Sequence, residues 1–336
     1  MAYRPPEDEQ EIAAAAARER LVIHRGLATW GNDLVPLGRF RRAAAAAGRA
    51  LGPAARRAAL AGYRAAVADG TPVEGPFGRI VVCGGIYSNH LGLAALLAAS
   101  SGAEAIYCLG DLGGFGPSPE RVWPLLVQGG VRTLQGNYEE SLSTGREDCN
   151  CGYTDPRDNH FAELSYRYTA ERCSPEFKLW MGRLPARRRV RVGGRELLLV
   201  HGSPRRINEF LFASTAPVAF LEVLLDQSGC DGILCTHTGL PWHRRLPSGR
   251  DVVNVGVIGR PANDGRTEVC YAVIEASGET GELAVDLRPL AYDHLALAGE
   301  MRRERLPEEF VETILSGWWT TCLEILPARE RAASRF

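Results

Sequence analysis

Four short apolar runs in this chain end in the same way, and that shared ending limits the folds open to it. Ala105 to Leu109 runs into Gly110-Asp111, and Val131 to Leu134 runs through Gln135 into Gly136-Asn137. Leu197 to Val200 is followed by His201-Gly202, and Ile233 to Cys235 by Thr236-His237. Apolar runs this short, bounded by glycine, read as buried strands, and glycine permits the sharp exit that follows. In an open α/β sheet the crevice beyond the carboxyl ends of the strands is where ligands bind. The chain therefore offers an aspartate, an asparagine and two histidines at strand ends. Oxygen and imidazole donors together suit Zn, Mn or Fe better than Ca or a thiolate cluster.

The order Gly-Asp, Gly-Asn, His-Gly and His-Thr, followed by Asn-Val-Gly-Val-Ile-Gly-Arg-Pro from Asn254 to Pro261, resembles the calcineurin-like metallophosphoesterases over about residues 79 to 293. The resemblance implies an α/β fold of two packed mixed β-sheets flanked by helices. It also implies a phosphoesterase that hydrolyses a small phosphorylated metabolite or nucleotide with metal-activated water, using one or two Mn, Fe or Zn ions. On this reading Asp111 is the bridging ligand, and Asn137, His201 and His237 complete one metal site. Tyr138 stands where the family carries a histidine that acts as an acid or phosphate contact. Gly113-Gly-Phe-Gly-Pro117 resembles the loop after the metal aspartate in the bacterial phosphodiesterase-like branch, bordering substrate or forming a plain turn. The alternative is a non-catalytic member that binds metal or phosphate in a binding or regulatory role.

The chain departs from the family at the other half of the site. The family's Asp-x-His is here Gly85-Ile86-Tyr87, and its Gly-His-x-His is Thr236-His237-Thr238-Gly239. Three explanations stand side by side: a single metal, a second metal held through replacements, or a binding pocket without catalysis. Tyr87 offers a phenol at a lost ligand position, and Cys149 and Cys151 lie in the polar stretch Glu-Asp-Cys-Asn-Cys-Gly after Asn137, so the balance tips towards a rebuilt second site. His90, His160 and His243 are further candidates that also read as surface or structural histidines. Arg205 and Arg206, just past His201, are the expected phosphate contacts, because a planar guanidinium grips phosphate bidentately.

Composition narrows the setting. A formal net charge of -1 and 45% hydrophobic residues over 336 positions provide for a full core, with no global attraction to nucleic acid or membrane. No apolar run approaches a membrane span, and the acidic start is unlike a signal peptide. Nine scattered cysteines read as reduced thiols in a cytoplasmic protein. Residues 1 to 76, rich in Ala and Arg, are expected to form a helical extension with helices near 8 to 20, 36 to 48 and 53 to 68, ending in a linker from Gly70 to Pro76, and Gly193-Gly194 is expected to join two strands as a hairpin turn. The phosphoesterase-like domain spans 77 to 293. A helical extension from 294 to 336 is expected to pack on it, with Trp318 and Trp319 covering an apolar face rather than lining the site.

Overall fold

The structure, a computed structural model, describes residues 21–24, 27–30, 33–35, 71–277 and 282–332. The helices expected at 8–20, 36–48 and 53–68 fall outside those residues. Between the first two lies a difference from expectation. Strands β1 (Leu21–His24), β2 (Leu27–Trp30) and β3 (Asp33–Val35) form a three-stranded antiparallel sheet. Leu-Val-Ile-His and Leu-Ala-Thr-Trp are β-branched and aromatic enough to favour strands, so the amino-terminal extension is not purely helical.

The rest of the sheet framework begins at β4 (Val73–Phe77), three residues inside the stretch expected to be a linker. It continues through β5 (Arg79–Cys83), α1 (His90–Ala99), β6 (Ala105–Cys108), α2 (Pro119–Gln128) and β7 (Arg132–Thr133). Helices α3 (Asn137–Thr144), α4 (Pro156–Arg172) and α5 (Pro175–Met181) follow. Then come the hairpin β8 (Arg187–Val192) and β9 (Arg195–Val200), α6 (Val218–Ser228), β10 (Gly232–Cys235), β11 (Trp242–Arg245) and β12 (Asp251–Asn254). The long hairpin β13 (Val269–Ser277) and β14 (Glu282–Leu290) leads into α7 (His294–Arg303), α8 (Glu308–Ser316) and α9 (Ala328–Ala332).

The chain divides into two compact units. One contains, among the described residues, β1–β3 with Ala216–Asp231 and Leu246–Arg250, so the amino-terminal unit also draws on segments from the middle of the sequence. Within it Arg250 forms ion pairs with Glu222 and, at 2.7 Å, with Asp226.

The other unit contains both large sheets. A five-stranded sheet runs β14-β13-β5-β6-β7, with β5, β6 and β7 parallel and β13 antiparallel to β5. A six-stranded sheet runs β11-β12-β10-β9-β8-β4, with β12, β10 and β9 parallel. Period-2 alternation sorts the residues between layers. Ile80, Val82 and Tyr107 from one sheet join Leu197, Leu199, Leu234 and Val253 from the other in a single buried cluster, so the sheets pack face to face. Val81, Cys83 and Cys108 point the opposite way, against Leu93 and Leu96 of α1, Val122 and Leu126 of α2, and Phe177 of α5. Each such aliphatic side chain contributes roughly 1.5–3 kcal/mol on burial. The expected α/β fold of two packed mixed sheets flanked by helices is therefore what forms.

Helices α7 and α8 pack in the same unit. Leu297, Met301, Phe310 and Ile314 form a cluster with Tyr87, Phe115 of the loop after β6, and Phe161 of α4, and the Phe310 and Phe115 ring centroids lie 4.7 Å apart.

Candidate metal centre

Neighbouring strands deliver the four expected ligands in pairs, two from each sheet. Asp111 and Asn137 follow β6 and β7, and His201 and His237 follow β9 and β10. The glycines of the first two motifs are required by close approach. A Cβ on Gly110, whose φ is +93°, would lie 2.3 Å from the Gly136 nitrogen, and one on Gly136 would lie 2.7 Å from Asp111 Oδ1. Asp111 (φ 60°) and His237 (φ 69°) both hold the left-handed conformation, which a non-glycine residue adopts at some cost and which clusters at functional sites.

These turns bring four donor atoms together. His201 Nε2 lies 3.0 Å from Asn137 Oδ1, 3.0 Å from His237 Nδ1 and 3.3 Å from Asp111 Oδ2. The outer nitrogens fix the tautomers, because a carbonyl can only accept. His201 Nδ1 donates to Leu109 O at 2.7 Å, and His237 Nε2 donates to Cys151 O at 3.2 Å. Asn137 is oriented the same way, since its Nδ2 donates to Cys149 O at 2.8 Å and leaves Oδ1 facing the histidines. With His201 neutral, three lone pairs and a carboxylate point at one another inside a buried site, a repulsion that either a proton on His201 Nε2 or a cation in its place relieves. Bonds of about 2.1 Å place adjacent octahedral ligands ~3.0 Å apart, so the spacing fits a small divalent ion. Carbonyls tied to the outer nitrogens are the usual support of metal-binding histidines.

The electrostatics agree. Burial opposes charge on Asp111, but His201 and His237 hold its carboxyl below the usual range. Burial also opposes charge on His201, yet Asp111 raises it above 6.5. His237 is pushed down to about 3 by burial and by His201 beside it, so it stays a neutral donor. Behind the ligands Glu139, fully buried on α3, accepts from the backbone N–H groups of Asp111, Leu112 and Gly136, each at 2.8 Å. Burial and the Asp111 charge push its carboxyl up to about 7 against those three bonds.

The altered half of the site is filled by side chains. A Cβ on Gly85 would meet the Tyr87 ring at 2.5 Å, and one on Gly239 would meet the Trp319 ring at 3.2 Å and Arg260 Nη2 at 3.6 Å. Burial and Asp111 keep the Tyr87 phenol well above its ordinary pKa, which disfavours the phenolate expected to bind a metal. Cys149 and Cys151 are joined as a disulfide, so neither offers a thiolate, and this pair corrects the expectation of reduced thiols throughout. Cys149 is buried in the core behind α3, which accounts for a cysteine that the polar sequence left unexplained. Among the described residues, the side chains of His, Cys, Asp and Glu that converge as a metal group are Asp111, His201 and His237. A rebuilt second metal site through Tyr87, Cys149 and Cys151 is not assembled.

Other expected residues lie elsewhere. Arg205 faces Glu209 at 3.5 Å and Arg206 is exposed, and neither lines the cavity beside the ligands. His243 pairs with Asp251 at 2.8 Å, His90 lies near Glu300, and His160 packs edge-on to Phe161. Tyr138 does line the cavity, with its hydroxyl 3.0 Å from Ser165 Oγ and its phenol held above the usual range by burial.

The guanidinium that the cavity does contain is Arg260, from the Asn254–Pro261 motif. It is 7% exposed, lies with its Cζ 3.5 Å from the Trp319 ring centroid, and faces Tyr87 and Phe115 at 5.9 and 5.7 Å. A desolvated cation–π stack of this kind contributes about 2 kcal/mol. Trp319 is locked in turn by bonds to Asn263 Oδ1 at 2.8 Å and Pro261 O at 2.7 Å. The cavity, about 50 Å³, is lined by Asp111, His237 and Arg260 together with Phe310, Thr321 and Cys322 of the carboxy-terminal segment. That segment therefore lines the site as well as covering it. Sequence reading missed Arg260 because Gly-Arg-Pro looks like a turn, and the ring that holds it comes from a distant part of the chain.

No family model matches the chain. It is 22% identical over 256 residues to an uncharacterized protein of Methanocaldococcus jannaschii, covering 71% of this chain and 98% of the relative. Two solved structures share the architecture. A metallophosphoesterase from Sphaerobacter thermophilus matches at a TM-score of 0.56 and 22% identity, covering 71% of this chain and 98% of its own. A hypothetical protein from Pyrococcus horikoshii matches at 0.59 and 22%, covering 72% and 99%.

Proposed function

We propose that this chain, whose fold is that of the metallophosphoesterases, is a metal-dependent phosphoesterase acting on a small phosphorylated metabolite or nucleotide. One Mn, Fe or Zn ion would be held by Asp111, Asn137, His201 and His237. The observation that carries this reading is the convergence of their donor atoms within about hydrogen-bonding distance while both imidazoles spend their N–H groups on backbone carbonyls. When bound, a divalent ion supplies water activation near neutral pH and neutralises charge on a phosphoryl oxygen. The chain supplies the rest: Asp111 contributes the carboxylate of the ligand set, and the Tyr138 hydroxyl, which stays protonated, can donate a hydrogen bond to an ester or leaving-group oxygen. The aromatic rings of Tyr87, Phe115 and Phe310 form apolar walls of the cavity.

A binding protein without turnover is the second reading, favoured by the side chains that fill the altered half-site and by the small cavity. Hydrolysis of an aryl phosphate and an aryl diester, measured after loading with Mn, Fe or Zn, separates the two. Turnover lost in His201→Ala and His237→Ala supports the enzyme. Stoichiometric metal without turnover on either ester supports the binding protein.

A further inference from the structure

Arg260 poses a problem that the ligand set does not answer. A guanidinium is costly to bury, and native proteins pair it with carboxylates. Arg260 is 7% exposed, yet among the described residues no carboxylate pairs with it, and its Nε has no hydrogen-bond partner. Its neighbours are rings and the Cys322 thiol. Trp319 supports one face of the guanidinium plane, which fixes the direction of the donor fork. The same cavity contains Asp111 and His237, so this fixed positive charge and the metal ligands open onto one space.

We infer that Arg260 is the oxyanion-binding residue of this site, its guanidinium gripping two non-bridging oxygens of a terminal phosphoryl group that also faces the metal ligands. Planar, bidentate recognition of phosphate is what a stacked, otherwise unpaired guanidinium is shaped for. Volume sets the class of ligand. A space of about 50 Å³ has room for a handful of waters at roughly 10–15 Å³ each, or for one phosphoryl head, but not for a nucleoside. The monoester dianion is therefore the preferred form, with the rest of the substrate outside the cavity. The identity of the anion rests on the phosphoesterase reading, whereas anion binding by Arg260 does not require catalysis.

The test measures binding of inorganic phosphate by isothermal titration calorimetry to the full chain, metal-free and metal-loaded, as wild type, Arg260→Met and Arg260→Lys. Metal content is measured in each. The expected result is phosphate binding by wild type even after metal removal, weakened about tenfold or more in Arg260→Met and partly restored in Arg260→Lys, with metal content near one per chain in all three. KM for an aryl monoester should rise in parallel with the phosphate Kd. Unchanged phosphate affinity in a folded Arg260→Met protein overturns the inference even if hydrolysis persists. Arg260-dependent phosphate binding with no hydrolysis sustains it and removes the phosphoesterase reading instead. If neither variant folds, a wild-type crystal soaked in tungstate decides: tungstate within hydrogen-bonding distance of Arg260 supports the assignment, and an empty cavity at saturation rejects it.

Discussion

At the residue scale, His201 sets how the site responds to pH. Burial alone would lower its pKa, but Asp111 raises it above the ordinary 6.5, which favours a proton on this imidazole in the metal-free protein. That proton's contribution to stability is fully present below the ordinary value and is lost as pH rises through the raised one. An incoming ion must displace it. We predict that metal affinity rises about tenfold per pH unit until the raised value is passed, with a proton released per ion below that value. Calorimetry in two buffers of different ionisation heat measures the release, and binding without it would contradict the ligand assignment. His201→Ala and His237→Ala should lose the ion with secondary structure retained, as read by elemental analysis beside circular dichroism. The cluster was legible in the sequence because four apolar runs end in turn in Asp, Asn, His and His, an order that outweighs the turn reading open to any one of them. Arg260 was not, because its significance lies in the Trp319 stack and in the lack of a carboxylate, neither of which local sequence displays.

Among the elements, the start of α3 does the most to shape the site. Glu139 gathers three backbone N–H groups from two separate loops, fixing the Asp111 turn against the helix that begins at Asn137. Glu139→Ala should orphan all three donors and cost roughly 3–5 kcal/mol, at about 1–3 kcal/mol for each unsatisfied group with partial rescue by water. Urea unfolding of the metal-free variant measures this, and a loss under about 1 kcal/mol would show that water replaces the carboxylate fully. Element prediction itself succeeded where turn chemistry is strong, as at Gly193-Gly194 between β8 and β9. It failed at β4, where Gly75-Pro76 reads as a linker although an edge strand tolerates proline. It failed also at β1–β3, strands of three or four residues set in a sequence otherwise rich in helix formers.

For the whole molecule, the carboxy-terminal helices are part of the site's wall. Phe310 is 2% exposed and touches both Phe115 and Phe161, so Phe310→Ala should cost about 3–5 kcal/mol by chemical denaturation. It should also enlarge the cavity and lower its selectivity for small monoesters, and unchanged relative rates across ester sizes would separate the wall from the specificity. The arrangement of ligands in pairs has a further consequence. Asp111 and Asn137 follow strands of one sheet and His201 and His237 strands of the other, so a bound ion is a rivet through two layers that also adhere by a shared apolar cluster and by polar bonds such as Tyr107 to Glu74 at 2.9 Å. At a free ion concentration one hundred times Kd, such a rivet adds about 2.7 kcal/mol against unfolding. Amide hydrogen exchange should then slow together at the ends of β6 and β9, on opposite sides of the interface, when the ion is added.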